Sequence, residues 1–171
     1  MPITTWVLPP PKKNLVVGVA DMVASNDAGA DLVTYSLGSC LGITVHDPVN
    51  KIGGLFHVML PDSTIDPSKG VSTPYKFVDT GLPRLFQAVY SLGGNRRRIV
   101  VKAAGGAQFL DQGGVFNIGE RNIVALKNLL SRNGWSLHAE DIGGVVSRTV
   151  RMELSTGKVS ISRPGTPVYY L

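Results

Sequence analysis

The sequence predicts an α/β sandwich on a mixed β-sheet, with two main helices set against roughly eight strands. Three observations carry that expectation. Twenty glycines in 171 residues are more than a helical bundle uses, and they punctuate short apolar runs as turns do. Only two segments place apolar residues at helical spacing. Hairpin signals dominate and crossovers are few, which favours a mixed sheet over a parallel one.

Taken in order, the first dozen residues are proline-rich and read as an extended arm. The expected organisation is an arm over 1–14 followed by a single domain over 15–171, because no composition break or internal repeat divides the rest. Leu15 to Ala20 reads as a strand and Asn26-Asp27-Ala28-Gly29 as a turn. Two more strands run from Leu32 to Ser36 and from Leu41 to His46, with Gly38-Ser39-Cys40 between them. Asp47 to Lys51 turns the chain, and Ile52 to Leu60 is a strand stopped by Pro61. Residues 61–76 read as a long polar loop of the kind that serves function. A helix then carries Leu82, Leu85, Phe86 and Val89 on one face, with Pro83 expected in its first turn and Gly93 at its end. Ile99 to Ala104 is a short β-branched run, hence a buried strand, broken by Gly105-Gly106. The second helix, capped by Asn117, turns Ile123, Leu126, Leu129 and Leu130 inward and stops before Gly134. Strands over Leu137–Ile142, Arg148–Leu154 and Lys158–Ser162 finish the chain, the last two joined at Ser155-Thr156-Gly157.

Composition narrows the function classes. The chain is 43% hydrophobic and 17% charged, which is globular rather than disordered. No apolar stretch approaches the roughly 20 residues that span a bilayer, and no secretory leader is visible. A single unpaired thiol fits a reducing compartment. The expectation is a soluble, cytoplasmic protein without membrane insertion. The net charge of +5 suits an acidic partner. Its densest cluster, Arg96-Arg97-Arg98, has no interleaved aromatics and no zinc-finger or RRM pattern beside it, so it reads as a solvated strand entrance rather than a nucleic-acid surface.

The chemistry centres on Cys40, the only cysteine. One thiol makes neither an internal disulfide nor a cysteine-rich metal site, and on its own it is as readily a small core residue. Gly38 and Ser39 leave the backbone beside the sulfur uncluttered, so amide N–H groups there can face a developing oxyanion. His57 follows seventeen residues later. Pairing of the strands on either side of the 47–51 turn brings it back toward Cys40, favouring it over His46, which is expected to be exposed beside the Asp47-Pro48 turn. His138 remains a candidate, since distance in sequence is not distance in space. A hydroxyl can accept from an imidazole N–H, and Thr34 stands on the strand before the cysteine. Its residue type is equally what any strand prefers.

At these residues the chain resembles the chemoreceptor glutamine deamidase family, CheD. The matching segments are Thr34-Tyr35-Ser36-Leu37-Gly38-Ser39-Cys40 and Gly53-Gly54-Leu55-Phe56-His57-Val58-Met59-Leu60-Pro61. The likeness continues through Gly105–Gln108, Asn117–Asn122, Glu140–Gly144, Arg148–Val150 and Thr156–Val159, roughly residues 15–162. It implies a three-layer sandwich similar to the catalytic domains of deamidating bacterial toxins. It also implies Cys40 as nucleophile, His57 as acid/base and Thr34 as the residue that orients His57, with no metal or organic cofactor. Ser36 and Tyr35 stand where the family segment has glycine and leucine, and Phe56 stands in place of alanine.

The expected reaction is hydrolysis of glutamine side-chain amides on chemoreceptor cytoplasmic helices, through a Cys40 thioester. The resemblance also implies a complex with a CheC-type chemotaxis phosphatase. The rival reading is a non-catalytic adaptor that binds receptors and that phosphatase. A second rival keeps the Cys-His pair but changes the bond or acceptor, as in a transglutaminase, a receptor methylesterase or a peptidase.

Overall fold

The computed structural model describes residues 11–108 and 116–171, so residues 1–10 of the expected arm lie outside it. Its described residues form two five-stranded sheets and three helices, an α/β sandwich as expected. The first sheet contains β1 (Lys13–Val16), β3 (Ala30–Leu37), β8 (Arg148–Glu153), β9 (Val159–Ser162) and β10 (Tyr169–Tyr170), in the order β1-β3-β8-β9-β10. The second contains β2 (Asp21–Ser25), β4 (Leu41–Asp47), β5 (Ile52–Val58), β6 (Val100–Gly105) and β7 (Leu137–Ile142), in the order β2-β5-β4-β6-β7. Each sheet is mixed: β1 runs parallel to β3 and β6 parallel to β7, while the remaining neighbours are antiparallel. Helices α2 (Val78–Ser91) and α3 (Ile118–Arg132) form the third layer, and a short α1 (Pro67–Ser72) precedes them.

Alternation along β5 shows how the layers stack. Phe56 and Val58 join the core with Leu82, Leu85, Phe86 and Val89 of α2 and Leu126 and Leu130 of α3. Leu55 faces the other way, into the core with Leu32, Leu37, Val150, Met152 and Ile161 of the first sheet. The second sheet is therefore covered on both faces, and all of β4 and β5 is buried. Gly53 and Gly54 permit this close stacking. A Cβ on Gly53 would press on Leu154 and Met152 at 2.9 Å, and one on Gly54 would meet Leu85 at 2.5 Å. Phe56 fits because α2 offers a glycine opposite it: a Cβ on Gly81 would collide with its ring.

Several elements differ from the sequence expectation. The first strand begins at Lys13 and ends at Val16, and Ala20 at φ 55° turns the chain into β2, which the pattern did not reveal. Residues 61–76 are not an irregular loop but a chain of short helical turns around α1. Aspartates organise them: Asp62 and Asp66 cap two of the turns, and Asp79 accepts from the amide and hydroxyl of Ser63. Pro83 lies well inside α2 rather than in its first turn, because the helix starts at Val78, whose N–H bonds to Leu60 O at 3.0 Å. On the exposed face Pro83 withholds one helical hydrogen bond without ending the helix. Asn117 precedes α3 as expected, but in a left-handed conformation and without a side-chain capping bond.

The arginine cluster is mostly structural. Arg98 forks onto the buried carboxylate of Asp47 at 3.0 and 2.8 Å, and Arg96 lies over the Trp135 ring while donating to Asn133 O. No helix among the described residues is long and apolar enough to cross a membrane.

Ser36 marks a strained point. It sits at φ 55°, where the β3–β8 register slips between Thr34 and Leu37. A side chain in that region costs about 1–2 kcal/mol, while glycine's extra freedom in the unfolded chain returns roughly 0.5–1. Ser36→Gly is therefore expected to raise unfolding stability by about 0.5–1 kcal/mol, read as a higher urea midpoint at unchanged slope. A lower midpoint would mean the serine is held there by contacts worth more than its strain.

Candidate functional site

The antiparallel β4–β5 ladder sets Gly42 opposite His57 and Leu41 opposite Val58. Cys40 is one residue beyond the last pair, and it packs on the same face of the sheet as Leu55 and, by alternation, His57. That face is turned toward the first sheet, where Cys40 packs half-buried against the inter-sheet core. Gly42 lets the first sheet close over this point, since a Cβ there would press on Leu37 at 2.8 Å and stand 3.4 Å from Thr34.

Thr34 and His57 meet across the two sheets. The Thr34 hydroxyl is 2.8 Å from Val17 O and 2.7 Å from His57 Nδ1, and all three groups are buried. A hydroxyl has one proton, and a carbonyl can only accept. Thr34 must therefore donate to Val17 and accept from His57, which assigns the imidazole proton to Nδ1. Nε2 is left with a bare lone pair, buried and without a hydrogen-bond partner among the described residues. Burial pushes the His57 pKa below its usual value. It pushes the Cys40 thiol up, only partly offset by that residue's own amide. Both effects favour a neutral thiol beside a neutral imidazole.

The other two histidines are engaged elsewhere. His46 is buried, not exposed as expected, because it inserts beneath the β8–β9 hairpin and donates from Nε2 to Leu154 O at 2.8 Å. His138 is exposed and accepts from Val101 N–H at 3.1 Å. The structure joins Thr34 to His57 and gives neither alternative a comparable partner set.

The loop before β4 is held by its carbonyls. Gly38 O accepts from Ala107 N at 2.8 Å, Cys40 O from Gly106 N at 2.8 Å, and Ser39 O from Asn122 Nδ2 at 3.0 Å. Among the described residues, the amide N–H groups of Gly38, Ser39 and Cys40 bond to no backbone carbonyl outside regular strands. With these three carbonyls engaged, the backbone N–H groups are the donors that this loop can offer to an oxyanion. Gly105 makes this possible: it sits at φ 114°, and a Cβ on it would collide with Cys40 O.

Asn122 is the site-lining residue that sequence reasoning missed. It is wholly buried on the inner stripe of α3 with Gly119, Leu126 and Leu130, and it also donates to Met59 O at 2.9 Å. A poor helix former on the apolar stripe of a helix is the signal that was available.

The sequence profile of a family described as "CheD chemotactic sensory transduction" matches residues 59–163. "Probable chemoreceptor glutamine deamidase CheD 1" of Syntrophus aciditrophicus is 44% identical over 155 residues, covering 91% of this chain and 97% of that relative. "Probable chemoreceptor glutamine deamidase CheD" of Solibacter usitatus is 46% identical over 153 residues, covering 90% of each. The protein of the same name from Pyrococcus horikoshii is 41% identical over 153 residues, covering 88% of this chain and 93% of its own.

Proposed function

The chain belongs to the CheD family, and from that premise we propose that it is a protein-glutamine deamidase acting on chemoreceptor cytoplasmic helices. The observation that carries this reading is the bare, buried Nε2 of His57, its tautomer set by Thr34. Such a nitrogen is a general base waiting for a proton, and Cys40 stands one residue before the ladder in which Gly42 faces His57.

In the proposed reaction His57 Nε2 takes the Cys40 proton as Sγ attacks the amide carbon of the substrate glutamine. The carbonyl electrons move onto oxygen, where the N–H groups of the Gly38–Cys40 loop receive the oxyanion. One such donor is typically worth about 2.7–4 kcal/mol of barrier. The Nε2 proton then passes to the departing nitrogen, ammonia leaves, and a thioester remains. Water, deprotonated by Nε2, attacks the thioester and releases glutamate, and the thiol recovers its proton. Thr34 keeps Nδ1–H engaged throughout and lends support to the transient imidazolium. The net charge of +5 suits an acidic receptor surface, and a CheC-type phosphatase is the proposed regulatory partner.

Mass spectrometry of a receptor cytoplasmic fragment incubated with the protein tests the reading. Conversion of specific glutamines to glutamate is the expected result; a fragment bound tightly but left unconverted favours the adaptor role instead. The pH profile adds a second check. Burial lowers His57 from a usual value of 6.5, so the acid limb of kcat/KM is expected below pH 6.5, where the base becomes protonated. Burial raises the thiol from a usual value of 9.0, so the alkaline limb is expected above pH 9. Activity that rises through pH 8 with the ordinary titration of a free thiol would speak against a neutral resting pair.

A further inference from the structure

We propose that Asn122 is a positioning residue that fastens the nucleophile loop to the histidine strand and so sets the thiol–imidazole geometry. The inference deepens the deamidase reading and rests on it for the reaction concerned. Asn122 Nδ2 donates to Ser39 O at 3.0 Å and to Met59 O at 2.9 Å. Ser39 directly precedes Cys40, and Met59 lies two residues past His57. A single amide nitrogen thus spans both arms of the site.

It does so where the sheet no longer can. The β4–β5 ladder closes with Leu41 opposite Val58, and beyond that pair the two main chains find other partners. Met59 and Leu60 donate to Lys76 O, while Cys40 O turns to Gly106. Among the described residues Asn122 is what joins the chain before Cys40 to the chain after His57. Its platform is firm: α3 packs against Gly106 so closely that a Cβ on Gly119 would collide with Gly106 O.

The position also violates the rule of its surroundings. Oδ1 of Asn122 is buried and has no partner among the described residues. A leucine there would continue the stripe of Leu126 and Leu130 without that unmet acceptor. What the asparagine supplies and a leucine cannot is the pair of donors reaching the two carbonyls. Polar groups left partly unsatisfied in a core concentrate where function needs them.

The test uses the full chain carrying Asn122→Ala, Asn122→Ser or Asn122→Asp. Asn122→Ala is expected to lower kcat by about 10–100-fold with KM within about twofold, the pattern of a misplaced reacting group. Asn122→Ser, which keeps a hydroxyl donor, decides the same question if the alanine variant fails to fold. Asn122→Asp carries the sharpest expectation. Ionised, its carboxylate faces two carbonyls with no donor; protonated, it regains one. Its kcat should therefore recover as pH falls, a slope that a merely structural residue would not produce.

Alkylation of Cys40 by iodoacetamide across pH gives a reading independent of receptor substrate. The wild-type rate should show an acid limb from His57, and the Asn122 variants should show that limb weakened, between wild type and His57→Ala. Folded variants with wild-type kcat and wild-type alkylation profiles would overturn the proposal, as would a loss carried entirely by KM. If the wild-type protein converts no receptor glutamine, the deamidase reading fails, and the alkylation profiles still decide the role of Asn122.

Discussion

Cys40→Ala is expected to abolish conversion of receptor glutamine to glutamate, lowering kcat/KM by at least about 10⁴-fold. The size of the effect follows from what remains. Without the sulfur there is no thioester, and the bare Nε2 of His57 can only assist direct attack by water. The Gly38–Cys40 amides and substrate binding survive the change, and such features alone leave a small residual rate over solution. His57→Ala should fall to a similar level, because nucleophile and base act as a unit and their losses do not add. Stability should change little, since Cys40 is only half-buried and fills the rim rather than the centre of the inter-sheet core. The decisive comparison is product mass on one receptor fragment with wild type, Cys40→Ala and His57→Ala, each checked for an unchanged thermal transition. A folded Cys40→Ala protein that still converts glutamine would end the thioester mechanism.

The largest effect on stability is expected at Asp47, the last residue of β4. Its side chain is fully buried, forks to Arg98, and accepts from the amides of Val49, Asn50 and Asn95. Arg98 and these amides hold its carboxyl far below the usual carboxylate range. A depressed folded-state pKa stabilises the protein above the unfolded value and is lost only as pH falls toward the folded one, so the contribution is fully present at neutral pH. Asp47→Ala leaves three backbone donors without their acceptor and Arg98, a third of whose side chain meets solvent, without its partner; donors stranded in this way cost about 1–3 kcal/mol. Urea unfolding at pH 7 measures it directly. A drop smaller than about 1 kcal/mol, the range of surface ion pairs, would show that water replaces the carboxylate at no great cost.

Much of this architecture was legible because β4, β5 and the two long helices are each specified by their own residues. The apolar spacing of Leu82, Leu85, Phe86 and Val89 follows the helix that forms, and the Ser155–Gly157 turn joins the strands it predicted. The elements that escaped notice take their identity from neighbours. Strand β2 is half-exposed at a sheet edge, and its five residues form a strand by pairing with β5. His46 looked exposed beside its turn, yet its partner Leu154 lies 108 residues away, a relation no local pattern encodes. Thr34 was visible as a strand residue, and only the resemblance singled out its role. Asn122 stood inside a recognised segment, but its two carbonyl partners come from parts of the chain far earlier in sequence.

The bond from Thr34 to Val17 carries one more meaning. Val17 follows β1, the first described strand, and its carbonyl is what obliges the Thr34 hydroxyl to point away from the imidazole. Were that carbonyl withdrawn, the hydroxyl would be free to donate to Nδ1, and the ring proton would move to Nε2, blunting the base without altering any of the three reacting side chains. Proteolytic release of the segment through residue 17 would then act as an off-switch by isomerising a single imidazole. Limited digestion followed by an activity measurement and an imidazole nitrogen spectrum would separate that outcome from simple unfolding. The amino-terminal edge of the domain thus holds veto power over chemistry performed in its interior.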